Sequence, residues 1–487
     1  MVKAPDTGTL FGHPKGLYLL FGTELWERFS YYAMRAILVL YLVDKTSDYG
    51  GFGLGWTNAD ALKLYGWFTG LVYITPLLGG WLADNVLGQR KAIIIGGTLM
   101  AAGQFMLGTP HAWIPGMETQ AFYLGLALLM CGNGLFKPNI STMVGDLYEQ
   151  GDHRRDGAFT IFYMGINIGA FLSGIVVGSV VALYGGNWQV GFVCAGIGMV
   201  MSLVVQLVFA RKLLGEVGVV PSAKQAMADQ VGPKVKQPLT KVEFDRIKVI
   251  MILGVFTIIF WAGFEQAGGL MNIYANQFTD RVIGSFTVPT TWFQSLNPLF
   301  IVVFAPLFAL MWLKMGAAEP TSPTKFAMGL VLLAIGFLFM VGATLQLGGD
   351  VNAKTSMIWL VGAYFFHTMG ELCLSPIGLS MVTKLAPLRL LSLMMGVWFG
   401  FTGLANYVAG FIGSFIGHGD ESEMVNNAIS IFGGIAITAA VFGGLLFLIA
   451  DKLVHWMHGA EGHVKETIIE EEIAVTGTHE GISEDHL

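Results

Sequence analysis

Twelve stretches of mostly apolar residues run along this chain, separated by segments rich in polar residues and glycine. Each is about 20 residues long, which is enough for an α-helix to cross the hydrocarbon core of a bilayer. The pattern therefore predicts twelve membrane-spanning helices, with centres near residues 30, 73, 100, 132, 170, 200, 258, 304, 335, 370, 402 and 440.

One long polar connection divides the twelve spans into two groups of six. It follows the sixth span, and we place it at residues 214–245 as a cytoplasmic linker. The predicted organisation is then an N-terminal six-helix bundle (1–213), the linker, a C-terminal six-helix bundle (246–455) and an acidic tail (456–487). The tail lacks an apolar helical face, so we expect it to be disordered in the cytoplasm.

The composition agrees with a membrane protein. Hydrophobic residues make up 54% of the chain and charged residues 12%, whereas soluble domains have about 25% charged residues. The cysteines Cys131, Cys194 and Cys373 are scattered through apolar segments, so neither a disulfide framework nor a metal site is indicated. The N-terminal segment does not resemble a cleaved signal peptide, and we expect the first span to be retained.

The positions of Lys and Arg predict the orientation of the chain in the membrane. With a cytoplasmic N-terminus, twenty of the 27 Lys and Arg residues fall in cytoplasmic segments, four in outside loops and three within spans. Basic residues are concentrated in the cytoplasmic loops of membrane proteins. We therefore expect both termini to be cytoplasmic.

Two groups of six spans around a basic central loop are typical of transporters built from two parallel repeats. In such proteins the substrate site lies near the middle of the membrane, between halves that rock against each other. A Gly six residues before a Pro occurs in both the fourth span (132 to 138) and the tenth (370 to 376). Ordinary use of Gly and Pro in membrane helices is an alternative explanation of this repeat. The predicted fold class is an all-α multi-pass membrane protein.

The first span contains four charged residues where lipid alone could not accommodate them. At about 100° per residue, one face of this helix carries Glu24, Glu27, Arg28, Tyr31, Tyr32 and Arg35. Leu25, Trp26, Phe29 and Ala33 lie on the other side, which we expect to face lipid.

Ionisable groups inside a membrane usually have a function, since their burial is expensive. Glu24 and Arg28 are i, i+4 neighbours of opposite charge, and Glu27 adds a second carboxylate. Two carboxylates against one arginine leave an excess of negative charge, so one of them can bind and release a proton. An ion-pair network that only holds helices together is the alternative, although such networks stabilise poorly compared with apolar packing.

Three further spans carry possible partner charges. Lys137 lies in the fourth span, Glu265 in the seventh and Glu371 in the tenth. In a transporter of two halves these spans and the first face each other across the cavity. Salt bridges between the halves can therefore form in one state and break in another, which provides gating; the candidates are Arg28, Arg35 and Lys137 against Glu24, Glu27, Glu265 and Glu371.

The same charges suit a zwitterionic substrate. Its carboxylate would bind Arg and Lys, while its ammonium would bind Glu371 with acceptors such as Asn167 and Asn297. Aromatic residues can line apolar pockets for variable side chains; the candidates are Tyr32, Tyr73, Trp261 and Trp398. His367 lies one turn before Glu371 and is a candidate proton relay, although packing is the commoner role for such a histidine.

Two segments resemble sequence motifs of one family, and a third resembles a motif of its superfamily. ELWERFSYY (24 to 32) is similar to the E-x-x-E-R-F-x-Y-Y motif of proton-dependent oligopeptide transporters, and FTIFYMGINIGAF (159 to 171) is similar to their fifth-helix signature. GGWLADNVLGQRK (79 to 91) resembles the loop motif of the wider major facilitator superfamily. The resemblance covers the chain to about residue 450.

This resemblance implies a major facilitator fold and a proton-coupled symporter that imports di- and tripeptides by alternating access, with protons as the coupling ion and no cofactor. Glu24, Glu27 and Arg28 would couple protonation to peptide binding. The peptide would be held by residues of both halves: Arg28, Tyr32, Arg35, Tyr73, Lys137, Asn167, Trp261, Asn297, Glu371, Ser375 and Trp398. Arg35 with Glu265 would form the outer gate.

The resemblance also narrows the type of protein. Residues 214–245 are too polar for the two extra helices of many bacterial members, and no large soluble domain separates the ninth and tenth spans. The second span lacks the histidine of the animal members, so the carboxylates are the expected proton sites. We expect a bacterial-type monomer in the cell (inner) membrane, in contact with lipid and without a nucleic-acid partner.

Two other functions stay open at this point. The same fold could move another zwitterion, an anion such as nitrate, or a drug. An intramembrane enzyme using His367, Glu371 and Ser375 is a more distant alternative, because their spacing matches neither the H-E-x-x-H zinc motif nor the G-x-S-x-G elbow.

Overall fold

Long α-helices make up most of this protein. The computed structural model describes residues 8–45, 53–149, 152, 154–221, 238–387, 390–416 and 421–460. The α-helices of the described residues are α1 (Lys15–Val43), α2 (Asn58–Leu82), α3 (Gln89–Leu107), α4 (Glu118–Asp146), α5 (Arg154–Leu183), α6 (Trp188–Leu214), α7 (Lys241–Phe264), α8 (Leu270–Phe278), α9 (Leu296–Met315), α10 (Ser322–Leu347), α11 (Met357–Leu385), α12 (Leu391–Gly413) and α13 (Glu421–Trp456).

The twelve predicted spans all correspond to helices in the structure, with α7 and the short helix α8 together forming the seventh. Nine helical segments of the described chain, from α4 onwards, are long and apolar enough to cross a membrane. Helices α1, α2 and α3 have the length but a more polar composition, as the charges of α1 illustrate. Part of the predicted linker (222–237) and the tail from residue 461 lie outside the described residues.

The remaining elements are short. A π-helical turn, Ala83–Leu87, follows α2, and 3₁₀ turns lie at His111–Trp113, Glu265–Ala267, Thr290–Ser295, Gly316–Ala318 and Ser414–Ile416. Two-residue strands form three small pairs. They are the antiparallel pair β1 (Thr9–Leu10) and β2 (His13–Pro14), the parallel pair β3 (Thr279–Asp280) and β6 (Thr355–Ser356), and the antiparallel pair β4 (Val282–Ile283) and β5 (Phe286–Thr287).

Several helices begin at residues whose side chains satisfy free backbone N–H groups. The Thr57 side chain accepts from Asp60 at the start of α2, and Asn187 accepts from Gln189 and Val190 at the start of α6. Thr240 and Glu243 form a capping box at the start of α7. These caps fix where the chain leaves its loops and enters the helices.

Helix α1 is packed inside the protein rather than along its edge. It contacts α5 and α6, and both Phe29 and Ala33 are buried. Phe29 lies against Gly198 of α6, where a Cβ atom would be only 2.5 Å from the phenylalanine ring. The prediction that Phe29 and Ala33 face lipid is therefore wrong, because a stripe of apolar residues looks the same whether lipid or another helix covers it; Leu25 and Trp26 of the same stripe are half-buried.

Glycines bring the first six helices into close contact with the last six. A Cβ atom on Gly66 of α2 would lie 2.7 Å from the Cα atom of Gly410 on α12, and one on Gly70 would lie 3.0 Å from the carbonyl oxygen of Gly403. Small residues one turn apart let membrane helices approach at backbone distance. Helices α2 and α12 thus form a tight contact between the two halves.

The seventh span is broken beside α1. Helix α7 ends at Phe264, a 3₁₀ turn covers Glu265–Ala267, and α8 resumes at Leu270. Gly268 lies in the break, where a Cβ atom would collide with the hydroxyl of Tyr65 and meet Arg35 Nε at 3.0 Å. The break therefore brings the backbone of the C-terminal half directly against Arg35.

The two halves are also joined by polar contacts at one end of the bundle, which we call the closed end. These contacts join α1 and α5 to the segment between α7 and α9. They are Arg35 to Glu265, Asn272 Nδ2 to the Ala36 carbonyl (2.9 Å), Thr291 Oγ1 to the Gly174 carbonyl (2.7 Å), Trp292 Nε1 to the Ile175 carbonyl (3.2 Å) and Ser295 Oγ to the Phe171 carbonyl (2.7 Å).

Candidate functional site

A cavity of about 380 Å³ lies between the two groups of six helices. This volume is in the range of small-molecule binding sites. Its walls contain most of the residues that the sequence predicts to bind substrate. From the N-terminal half these are Tyr32, Arg35, Tyr73, Lys137 and Asn167, and from the C-terminal half Trp261, Asn297, Glu371, Ser375 and Trp398.

The N-terminal wall of the cavity is cationic. Arg35 and Lys137 both line it, from α1 and α4. The Lys137 ammonium lies 4.5 Å from the centre of the Tyr73 ring, within the range of a cation–π interaction. The ring stabilises the charge without neutralising it, so this wall can bind an anionic group.

The C-terminal wall carries a carboxylate that is held in place by an amide. Asn297 on α9 donates from Nδ2 to Glu371 Oε2 on α11 at 2.7 Å, and to the Thr368 hydroxyl at 3.1 Å. Trp398 of α12 packs its ring on Phe326 and Phe401, close to the cavity. This wall therefore offers one acidic group beside apolar surface.

Lys137 and Glu371, both predicted to take part in gating salt bridges, are not paired with each other in this structure, which describes both side chains. Lys137 instead lies over Tyr73, and Glu371 accepts the Asn297 bond. Both line the cavity from opposite halves. The arrangement leaves one cation and one anion available to a molecule bound between them.

The predicted salt bridge between Arg35 and Glu265 is formed in this structure. Arg35 forms an ion pair with Glu265, and its Nε donates to the Tyr65 hydroxyl at 2.7 Å. The side chains of Arg35 and Glu265 are 14% and 3% exposed, so the pair is almost fully removed from solvent. It joins α1 and α2 of one half to the broken seventh span of the other.

The three charged residues predicted to couple protons form a compact buried cluster. Arg28 Nε lies 3.0 Å from Glu24 Oε1 and also bonds Glu27, and Asn133 Nδ2 of α4 donates to Glu27 Oε1 at 3.4 Å. None of these residues is among those that line the cavity in the described chain. Arg28, predicted also to bind peptide, thus lies behind the wall that Tyr32 forms one turn further along α1.

Three polar atoms of this cluster lack a hydrogen-bond partner within the described protein. They are Glu24 Oε2, Arg28 Nη2 and Asn133 Oδ1. Buried polar groups are nearly always bonded, so each exception needs a reason. A carboxyl group that gains and loses a proton needs neighbouring atoms that can accept or donate a hydrogen bond. These unpaired atoms can do so.

His367 lies outside this arrangement. It is buried, and its ring centre is 4.6 Å from that of Phe337 on α10 and 6.5 Å from that of Phe264. It is not among the residues lining the cavity in the part of the chain that is described. Its surroundings are those of a packing residue between α10 and α11.

Sequence reasoning missed two polar neighbours of the site. Tyr65 binds Arg35, and Asn133 binds Glu27. Asn133 lies one helical turn before Lys137, so the i, i+4 spacing already placed it on the face that carries the lysine. The sequence contains no comparable signal for Tyr65, because none of the predicted site residues lies within one helical turn of it along α2.

Comparison with known proteins agrees with the fold. The model described as POT family matches residues 90–222 and 222–431. The chain is 34% identical to the peptide transporter YePEPT of Yersinia enterocolitica, over 94% of this chain and 98% of the relative. It is 32% identical to dipeptide and tripeptide permease A of Escherichia coli, over 91% of this chain and 93% of that protein.

A solved structure extends the match to three dimensions. The crystal structure of a peptide transporter POT in complex with sulfate superposes with a TM-score of 0.83 at 36% identity, covering 93% of this chain and 98% of that one. The prediction of an all-helical transporter with the major facilitator fold is thereby confirmed. The chain belongs to the POT family of peptide transporters.

Proposed function

We propose that this protein is a proton-coupled symporter that imports di- and tripeptides by alternating access. The observation that carries the proposal is the cavity between the two halves, with Lys137 and Arg35 on one wall and Glu371 on the other. A short peptide has a carboxylate at one end and an ammonium at the other, and each finds an opposite charge. The protein is a transporter and not an enzyme, as its family membership indicates.

The relatives support the choice of cargo. The Yersinia relative is named a peptide transporter and the Escherichia coli relative a dipeptide and tripeptide permease. Another crystal structure, of a mutant peptide transporter POT that is 36% identical to this chain, is a complex with alafosfalin. A zwitterion other than a peptide, or a drug, is the remaining alternative, and the aromatic residues Trp261 and Trp398 would admit apolar groups of either.

Proton coupling is assigned to the cluster of Glu24, Glu27 and Arg28. Two carboxylates share one arginine in a place removed from solvent, so the addition of one proton lowers the repulsion between them. The cluster adjoins the cavity through Tyr32 and Lys137. A protonation change can therefore alter the cationic wall that receives the peptide carboxylate.

Alternating access would use the closed end as its outer gate. The Arg35–Glu265 pair and the hydrogen bonds from Thr291 and Ser295 seal the halves at that end. With both termini in the cytoplasm, as the distribution of Lys and Arg favours, the closed end faces the outside. We assign the protein to the inner membrane of a bacterial cell, as a monomer surrounded by lipid.

Uptake by purified protein in proteoliposomes tests the proposal. Labelled dialanine should accumulate when the lumen is made alkaline relative to the bath, and accumulation should stop when a protonophore removes the gradient. Glu24→Gln and Glu27→Gln should abolish accumulation and keep some gradient-independent exchange. The exposed Glu216 supplies the control Glu216→Gln, which should accumulate dialanine like the wild type.

Two results would overturn the proposal. The peptide assignment would be wrong if wild-type vesicles took up no dialanine. It would also be wrong if unlabelled tripeptides did not reduce the uptake of labelled dialanine. Accumulation that survives both glutamate substitutions would remove the assignment of the proton site to this cluster.

A further inference from the structure

Asn133 is held rigidly in the middle of α4 by glycines on both sides. A Cβ atom on Gly132 would lie 2.6 Å from the Met100 side chain, and one on Gly134 would lie 2.8 Å from the Thr75 side chain. Helices α3 and α2 therefore pack against the α4 backbone immediately before and after Asn133. Only the side-chain torsions of Asn133, which is 1% exposed, are left to adjust.

The amide of Asn133 uses only its donor half. Nδ2 donates to Glu27 Oε1 at 3.4 Å, which is long for such a bond. Oδ1 is buried and has no partner among the described groups. An asparagine side chain carries a donor and an acceptor on the same planar group, and rotating this group by half a turn exchanges their positions.

The cations around Glu27 cannot accept a hydrogen bond from it. Arg28 of α1 and Lys137 of α4 are the cations that act on Glu27, and both side chains only donate. Glu24 is the remaining acidic neighbour in the cluster; its Oε1 receives Arg28, and its Oε2 has no partner within the described protein. A protonated Glu27 therefore needs an acceptor, and of the two oxygens with free capacity the Asn133 oxygen belongs to the side chain that already bonds Glu27.

We propose that Asn133 is a positioning residue for the proton site, which donates to Glu27 when that carboxylate is ionised and accepts from it when it is protonated. The proton stays on Glu27 throughout, and the amide gains and loses none. This inference rests on the proposed proton-coupled function. The bond to the ionised form is the stronger of the two, because it is charge-assisted.

A pair of matched substitutions tests the inference. Threonine keeps one donor and one acceptor, while valine has nearly the same shape and has neither. Asn133→Val removes the bond in both forms, and loss of the stronger, charge-assisted one should shift the pH of half-maximal dialanine uptake toward alkaline pH by about 0.5 to 1 unit. Asn133→Thr should stay close to the wild-type midpoint.

The same helix supplies a control. Asn139 is buried at 3% exposure and donates to the Leu135 carbonyl within α4, so Asn139→Val removes a buried amide away from Glu27. Its pH midpoint should equal that of the wild type. Should Asn133→Val not yield folded protein, Asn133→Ala carries the same prediction, since it only shortens the side chain.

The outcomes separate this inference from the proposed function. An unchanged midpoint in Asn133→Val, or equal shifts in the valine and threonine variants, overturns the role of the amide while leaving proton-driven uptake intact. Wild-type vesicles without proton-driven uptake overturn the proposed function itself.

Discussion

The Asn297 amide lies 2.7 Å from a carboxylate oxygen of Glu371, and the two residues come from different helices of the same half. The bond uses one carboxylate oxygen and fixes the direction of the other. A carboxylate that is oriented before the ligand arrives loses little conformational freedom on binding. Glu371 is thus prepared to receive a cationic group in the cavity.

Replacing Glu371 with glutamine should selectively weaken the binding of a free amino terminus. Glutamine keeps the size and can still bond Asn297 but has no charge. Loss of a charge-assisted hydrogen bond of about 1.5 to 3 kcal/mol corresponds to a roughly 10- to 150-fold weaker apparent affinity for dialanine in counterflow exchange. N-acetyl-dialanine has no ammonium group and should bind the wild type and Glu371→Gln equally. Equal dialanine affinities in the two proteins would contradict this role.

Replacing Lys137 with glutamine should have the corresponding effect at the other end of the peptide. Lys137 is the cation that lies over Tyr73 at the cavity wall. We expect Lys137→Gln to lower the affinity for dialanine by at least about tenfold, as for other charge-assisted bonds. Dialanine amide, which has no carboxylate, serves as the control ligand and should not discriminate between the two proteins. A larger loss for the amide than for dialanine would count against a carboxylate at Lys137.

Breaking the Arg35–Glu265 pair from one side should open the closed end. Removal of one partner leaves the other as an uncompensated buried charge, which costs about 3 to 5 kcal/mol. The closed state bears this cost, so Arg35→Gln and Glu265→Gln should each shift the protein toward the opposite state. The double variant should recover much of the wild-type equilibrium, because it leaves no charge unpaired.

Thiol labelling can measure that shift. Thr290 is 5% exposed at the closed end, so Thr290→Cys, in a background without Cys131, Cys194 and Cys373, should react slowly with a membrane-impermeant maleimide. Arg35→Gln should accelerate the reaction, and the double variant should slow it again. Equal labelling rates in all three proteins would show that the pair does not hold this end shut.

Adding a side chain at Gly178 should prevent the same end from closing. A Cβ atom on Gly178 of α5 would collide with the Thr291 hydroxyl and lie 3.0 Å from Pro289. In the Gly178→Leu variant, the cysteine introduced by Thr290→Cys should therefore react faster with the maleimide. The same variant should accumulate dialanine poorly. Gly434 of α13 is a matched control, since nothing lies within 4 Å of a Cβ atom there, and Gly434→Leu should behave as the wild type. If the Gly178→Leu variant were labelled at the same rate as the wild type, Gly178 would not be in tight contact with Thr291 and Pro289 in the functional protein.

The sequence predicts the helices of this protein well, because a bilayer imposes the length of each span and an apolar composition. It also predicts that the intramembrane charges meet, since the helical repeat places Glu24, Glu27 and Arg28 on one face. The sequence does not show which residue of another helix each charged group contacts. Lys137 is a case in point: its charge made an acidic partner reasonable, while the structure places it over an aromatic ring.

The failure at α1 has the same origin. Apolar residues such as Phe29 are equally suited to lipid and to a neighbouring glycine, and only the fold decides which one they meet. The break in the seventh span was equally invisible in the pattern of apolar residues. It depends on a close approach to Tyr65 and Arg35 that no local sequence feature records.

Three bonds of the closed end share a property that bears on how such a protein can change over time. Thr291, Trp292 and Ser295 supply the donors, and main-chain carbonyls of α5 supply every acceptor. The acceptors exist whatever side chains α5 carries, provided that none is too bulky. A chimera that keeps residues 238–460 and takes its N-terminal half from a relative should thus retain these bonds, whereas the reciprocal chimera depends on the three donors of the other parent.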